Sequence, residues 1–260
     1  MRLKSGVISV KSKVIISGSV IEVCEYEKPV YKGYKSNGGR HKEANEEGKE
    51  KNRKDTLRRA RQDVRRTVNA NVWAYGEHCP PKFLTLTFGD NVTDLDVAHY
   101  EFEKFVKRLN YLVFGTKVAN LRYTAVPEFQ KRGAVHYHVV LYNLPYTKAD
   151  VIAKVWRNGF IKINKIDDVD NIGAYVCKYM VKGLDDDRLR GRKCYFNSRG
   201  LFKPLVIEDE KKAEMIKQSL PSECMTVSTE YENEHIGKIS YKQYNLKRVK
   251  KDTNLEESAL

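Results

Sequence analysis

His136 and His138 stand two residues apart in the run Val135-His136-Tyr137-His138-Val139-Val140-Leu141. A valine-rich run of this length reads as a β-strand. On a strand, side chains at i and i+2 share a face, so the two imidazoles project together while Val135, Tyr137 and Val139 point the other way. Two neighbouring imidazoles on a rigid sheet are half of a metal site. The run Leu121 to Phe129 reads as the preceding strand, and Lys131-Arg132-Gly133 as a three-residue hairpin loop ending in a left-handed glycine. That register sets Glu128 opposite His136 and on the same face. Glu128, His136 and His138 thus form a candidate site for a divalent cation.

A second group follows about forty residues on, in Asn171-Ile172-Gly173-Ala174-Tyr175-Val176-Cys177-Lys178-Tyr179-Met180-Val181-Lys182. The spacing predicts a helix, capped by Asp170 and ended by Gly183. Ile172, Gly173, Val176 and Met180 fall on one side, and Tyr175, Lys178, Tyr179 and Lys182 on an adjacent one. Tyr175 and Tyr179 are i and i+4, one turn apart. Packing alone does not call for lysines beside them. A tyrosine hydroxyl can attack a phosphodiester and keep the phosphate covalently. A cation such as Lys178 can stabilise the phenolate or the charge of the transition state. A second tyrosine one turn away can repeat the step on a new strand.

The elements that must position these groups are legible in order. Val14-Ile15-Ile16 and Val20-Ile21-Glu22-Val23 suggest a small hairpin, and Tyr34 to Lys54 reads as a charged linker. From Lys54 to Asn71, Leu57, Ala60, Val64 and Val68 recur at helical spacing. Arg58, Arg59, Arg61, Arg65 and Arg66 surround that seam, which suits a helix that touches phosphates. Phe83-Leu84-Thr85-Leu86-Thr87-Phe88 alternates as a strand. A helix capped at Thr93 or Asp94 runs to Phe114 and ends at Gly115. After the hairpin, a helix from Thr147 to Trp156 and a strand Phe160-Ile161-Lys162-Ile163 complete the order. An α+β fold follows, an antiparallel β-sheet with helices packed on one face. Arg190, Arg192, Lys193 and Arg199 lie among Tyr195 and Phe202, a mixture that suits single-stranded nucleic acid. Glu223 to Tyr231 and Ile236 to Tyr244 read as a further hairpin.

Composition limits the class. The chain of 260 residues carries a formal charge of +14, which points to a polyanionic partner. No apolar run approaches the ~20 residues needed to cross a bilayer, and Met1 to Ser5 lacks the apolar core of a signal peptide. Five scattered cysteines without a Cys-x-x-Cys pair argue against a disulfide framework or zinc ribbon. The expectation is a cytoplasmic, nucleic-acid-facing protein without a membrane partner.

With these motifs in hand, the sequence resembles the HUH endonucleases, in particular the rolling-circle replication initiators of plasmids and small single-stranded DNA phages. Phe83 to Phe88 is similar to their first strand, Gly133 to His138 to their metal motif, and Tyr175 to Tyr179 to their two-tyrosine motif. The likeness spans roughly residues 54–204. It implies a ferredoxin- or RRM-like palm, Mg²⁺ or Mn²⁺, a 5′-phosphotyrosine intermediate, a free 3′-OH, and single-stranded or hairpin origin DNA as partner. Residues 1–53 then read as a hairpin and linker, 54–204 as the nicking domain, and 205–260 as a C-terminal extension. No Gly-x-x-x-x-Gly-Lys-Ser/Thr loop is present, so unwinding is expected from a host helicase. The same residues leave two other readings open: a conjugative relaxase or single-strand transposase, and a non-catalytic nucleic-acid-binding module with an RRM-like sheet.

Overall fold

The structure is a computed structural model that describes residues 7–33, 45–72, 74–76, 79–166, 171–180 and 185–248, with the backbone alone at Tyr179. The chain divides into two compact units, residues 42–203 and residues 1–41 with 204–260.

In chain order, β1 (Ile8–Ser17) and β2 (Val20–Lys32) precede α1 (Glu46–Asn71). Next come β3 (Lys82–Thr87), α2 (Leu95–Phe114), β4 (Tyr123–Phe129), β5 (Val135–Leu141), α3 (Ala149–Trp156), β6 (Ile161–Lys165), α4 (Ile172–Met180) and β7 (Phe196–Asn197). The larger unit is built on the sheet β6-β3-β5-β4-β7, in which every pairing is antiparallel.

Alternation gives this sheet two apolar faces. Leu84, Leu86, Ala125, Val135, Tyr137 and Val139 are buried with Phe102, Phe105 and Leu109 of α2 and Ile152 and Trp156 of α3. On the opposite face, Val126 and Val140 are buried with Ala60, Val64 and Val68 of α1 and Ile172, Val176 and Met180 of α4. The α+β class with an antiparallel sheet is as expected. The distribution of helices differs, because they cover both faces rather than one. Val126 and Val140 signal the second layer, but these two residues are too few to read as a buried stripe.

Local signals set the helix ends. Asp94 Oδ1 accepts from the backbone N–H of Asp96 and Val97, and Gly115 closes α2 with φ 65°. α3 begins two residues after Thr147, whose hydroxyl donates to the Pro145 carbonyl. Gly159, at φ 143°, lets the turn after α3 lie against β3. A Cβ there would fall on the Gly89 nitrogen and the Thr87 carbonyl. α1 begins at Glu46, inside the stretch read as a linker. Asn45 caps it by accepting from Gly48 N–H, and Glu46 and Glu47 favour its first turn. Its first turns carry no apolar seam, so composition alone made them look unstructured.

The second unit adds β8 (Leu205–Ile207), α5 (Glu210–Ser219), β9 (Met225–Asn233) and β10 (Gly237–Asn245). Its sheet order is β8-β1-β2-β10-β9. Both expected hairpins form, but they join in one sheet: Tyr244 of β10 pairs with Ile21 of β2, and Ile15 of β1 with Val206 of β8. An isolated two-stranded hairpin is marginal in water, and this pairing gives each a neighbour. Val14, Ile21, Val23 and Ala213 of α5 form its buried cluster.

Candidate active site

The β4–β5 hairpin has the register that the sequence sets. Gln130 N–H donates to Ala134 O and Gly133 N–H to Gln130 O, each at 2.8 Å, with Gly133 at φ 90°. Glu128 therefore pairs with His136, and Val126 with His138. The side chains use this frame differently from the backbone. Glu128 Oε2 lies 2.6 Å from His138 Nε2, the diagonal neighbour, rather than meeting His136. His138 Nδ1 lies 3.3 Å from Thr85 Oγ1, and its ring lies parallel to that of Phe83 at 5.7 Å between centroids. Sequence reasoning did not assign Thr85 and Phe83 to the site. Their alternation in β3 was the available signal, since Thr85 pairs with His138 and Phe83 with Val140.

His136 Nε2 is buried and has no hydrogen-bond partner among the described residues. Burial, and then the neighbouring His138, hold the His136 imidazole below its ordinary pKa and so favour the neutral form. A buried imidazole nitrogen without a partner is the exception in a folded chain. Among the described residues, no three His, Cys, Asp or Glu side chains converge as a ready-made metal cage. The donor chemistry nonetheless fits a cation: one neutral imidazole nitrogen is unsatisfied, and a carboxylate and second imidazole lie beside it on the same face.

Depressed imidazoles also carry a pH consequence. His99 of α2 is held low by its burial, with its ring 4.0 Å from that of Phe196. An imidazole whose folded pKa is lowered resists protonation until the chain unfolds. The unfolded chain therefore binds more protons between that lowered value and about 6.5. Stability should rise with pH through this window and be lost as pH falls through it. Thermal melts across the window should show that slope, and His99→Gln should flatten part of it.

α4 is fixed by contacts from α1. Asn171 Oδ1 accepts from Ala174 N–H at 2.9 Å, which caps the helix. The residue expected to do so, Asp170, lies outside the described residues, as do Lys182 and Gly183. Asn69 of α1 is buried, accepts from Gly173 N–H at 2.7 Å and donates to Asn171 Oδ1 at 3.0 Å. A Cβ on Gly173 would collide with the Arg65 carbonyl and stand 2.6 Å from Asn69 Oδ1. Gly173→Ala should therefore push α4 from α1 and cost about 1–3 kcal/mol, read as a fall in the denaturation midpoint.

The apolar side of α4 is buried as its spacing requires, and this sets the helix on the face that carries His136 and His138. Tyr175 is 38% exposed and Lys178 is exposed. The backbone of Tyr179 continues the helix one turn beyond Tyr175. Cys177 between them faces inward, and burial pushes its thiol up to about 12, which leaves it unreactive.

The basic residues separate into groups. Arg61, Arg65 and Lys178 line one small groove between α1 and α4, together with Gln62, Ala174 and Cys177. Arg58 and Arg59 are exposed and Arg66 is half-buried on the same helix. Arg58 pairs with Asp55 at 3.3 Å and Arg61 with Asp185 at 3.8 Å. Arg190 pairs with Asp187 at 3.3 Å and Glu50 at 3.7 Å, and Arg192 with Asp96. Lys193 is exposed, with its ammonium 5.8 Å from the Phe196 ring. Arg199 lies in a different groove, beside α2 and α3. Asp185 and Asp187 are thus ion-paired rather than merely solvated. Arg53, which the sequence did not single out, donates to Asp187 Oδ1 at 2.7 Å and to the Asp185 carbonyl at 2.5 Å.

Among the described residues no helix is long and apolar enough to cross a membrane. No curated protein and no solved structure matches the chain. Residues 81–184, which run from β3 through α4 and include the histidines and the tyrosine helix, match the model of a family described as Replication-associated protein, of the ORF2 type, and this similarity associates the chain with replication.

Proposed function

We propose that the protein initiates rolling-circle replication by nicking one strand of origin DNA and later rejoining it. The observation that carries this reading is the placement of α4. Tyr175 and Lys178 sit on a helix packed over the sheet face that bears Glu128, His136 and His138. The replication-associated family similarity over this stretch supports the same reading.

In this mechanism Glu128, His136 and His138 would hold Mg²⁺ or Mn²⁺. Such an ion, when bound, polarises a phosphodiester oxygen. The phenolic oxygen of Tyr175 or Tyr179 attacks phosphorus. A P–O bond to tyrosine forms and the P–O3′ bond breaks. The phenolic proton is lost and the departing 3′ oxygen gains one, so the strand ends as a 5′-phosphotyrosine and a free 3′-OH. Lys178 offsets the negative charge that builds on the phosphate and phenolate. Arg61 and Arg65, in the groove shared with Lys178, bind flanking phosphates. The reverse step, or attack by the second tyrosine on a new strand, restores the phosphodiester. A host helicase supplies unwinding.

The test is a single-stranded origin oligonucleotide with Mn²⁺ and a label at its 3′ end. The protein should acquire the label covalently, whereas a 5′ label should leave on a fragment with a free 3′-OH. Tight binding without metal-dependent cleavage would instead support a non-catalytic binding module. ATP-driven unwinding by the pure protein would remove the role given to a helicase partner.

A further inference from the structure

The largest groove in the unit of residues 42–203 encloses about 1130 Å³ beside α2 and α3, and none of Glu128, His136, His138, Tyr175 or Lys178 lines it. Its floor is aliphatic, formed by Val106, Leu112, Leu121, Val151 and Val155. Its rim holds Lys107, Arg108, Lys117, Lys154, Arg157 and Arg199, and no Asp or Glu lines it. Lys107 lies 3.9 Å from Glu103, and Arg108 donates to the carbonyls of Val155 and Trp156. No ion pair among the described residues engages Lys117, Lys154, Arg157 or Arg199.

The groove is built rather than incidental. Buried Asn110 fixes its wall with four hydrogen bonds. Its Nδ2 donates to the carbonyls of Thr116 and Val118, and its Oδ1 accepts from the N–H of Asn120 and Leu121. A preformed wall lowers the ordering cost of binding. Leu112 nevertheless stays 50% exposed over the floor. Exposed aliphatic area ringed by charge of one sign suits a ligand with apolar side chains and carboxylates.

We propose that this groove docks an acidic, amphipathic segment of a partner protein, with aliphatic or aromatic side chains on the floor and Asp or Glu against the rim. Nucleic acid fits less well. Phosphates satisfy the cations, but bases need aromatic faces to stack on. The lining offers two tyrosines, and one of them, Tyr123, is packed edge-on against Phe102 at 5.8 Å. A strand would leave the aliphatic floor unfilled. The inference stands apart from the nicking chemistry, so either can fail without the other.

The test pans a random library of peptides of about 12 residues against the full-length protein, with counter-selection against a Leu112→Asp/Lys154→Glu variant. Enriched peptides should combine acidic residues with Leu, Ile or Phe. A fluorescein-labelled copy of the most enriched peptide should bind the wild type, and about tenfold more weakly to Leu112→Asp and to Lys117→Glu/Lys154→Glu. Leu112, Lys117 and Lys154 are all exposed, and the two variants act through different chemistry, so either one carries the test if the other melts early. The proposal is overturned by no enrichment on the wild type, by enriched peptides without acidic residues, or by unchanged affinity in the folded variants. Displacement of the peptide by an oligothymidylate of about 15 nucleotides, with loss of its affinity in both variants, also overturns it and gives the groove to nucleic acid.

Discussion

Replacing Tyr175 and Tyr179 together by phenylalanine is expected to abolish the covalent protein–DNA adduct. Phenylalanine keeps the ring and removes the oxygen that would bond to phosphorus, so no conservative route to the intermediate remains. Formation of labelled adduct should fall by about 10⁴-fold or more, the scale seen when a nucleophile is removed from a site that otherwise persists. Packing should be little affected, because Tyr175 is partly exposed while Ile172, Val176 and Met180 carry the buried side of α4. Oligonucleotide binding by the double variant should therefore stay near that of the wild type. The single variants then rank the two phenols: the substitution that alone prevents the first adduct marks the residue that attacks first. A labelled adduct that survives the double substitution would remove α4 from the chemistry.

The second large effect is expected at the histidines. His136→Ala should lower Mn²⁺-dependent cleavage by more than about 100-fold, since loss of even an outer-shell partner of a metal ligand costs about 10–100-fold. The reason lies in the buried Nε2 of His136, which has no other described partner. Removing it takes away a donor that satisfies nothing else, so stability should change little through lost hydrogen bonding. His138→Ala differs, because His138 is already bonded to Glu128 at 2.6 Å and sits beside Thr85. It should lose cleavage and also leave Glu128 without that partner. Calorimetric titration with Mn²⁺ reads the site without catalysis: both variants should lose the heat of binding, and an unchanged isotherm would place the ion elsewhere.

Legibility in the sequence followed the range of the interaction. The β4–β5 register was readable because a three-residue loop with a left-handed glycine fixes pairing locally, and Glu128 does pair with His136. The inward side of α4 was readable from helical period, and Ile172, Gly173, Val176 and Met180 are buried. The start of α1 was not readable, because its first turns are stabilised by a cap and charged residues that resemble a linker. The joining of β1, β2, β8, β9 and β10 was not readable either. It pairs residues near 20 with residues near 240, and no local period encodes such a partner.

The sequence by itself determined which side chains share a face: the two imidazoles by the strand repeat, the two tyrosines by the helix repeat, and Glu128 by the turn. Those are short-range consequences of backbone geometry. The tertiary structure decided which faces meet. Asn69 and the missing Cβ of Gly173 seat α4 against α1, and that seat brings Tyr175 and Lys178 to the histidine side of the sheet. It also turned Glu128 towards His138 and left His136 Nε2 without a described partner, because side-chain direction is settled by the packing around the ladder and not by the pairing within it.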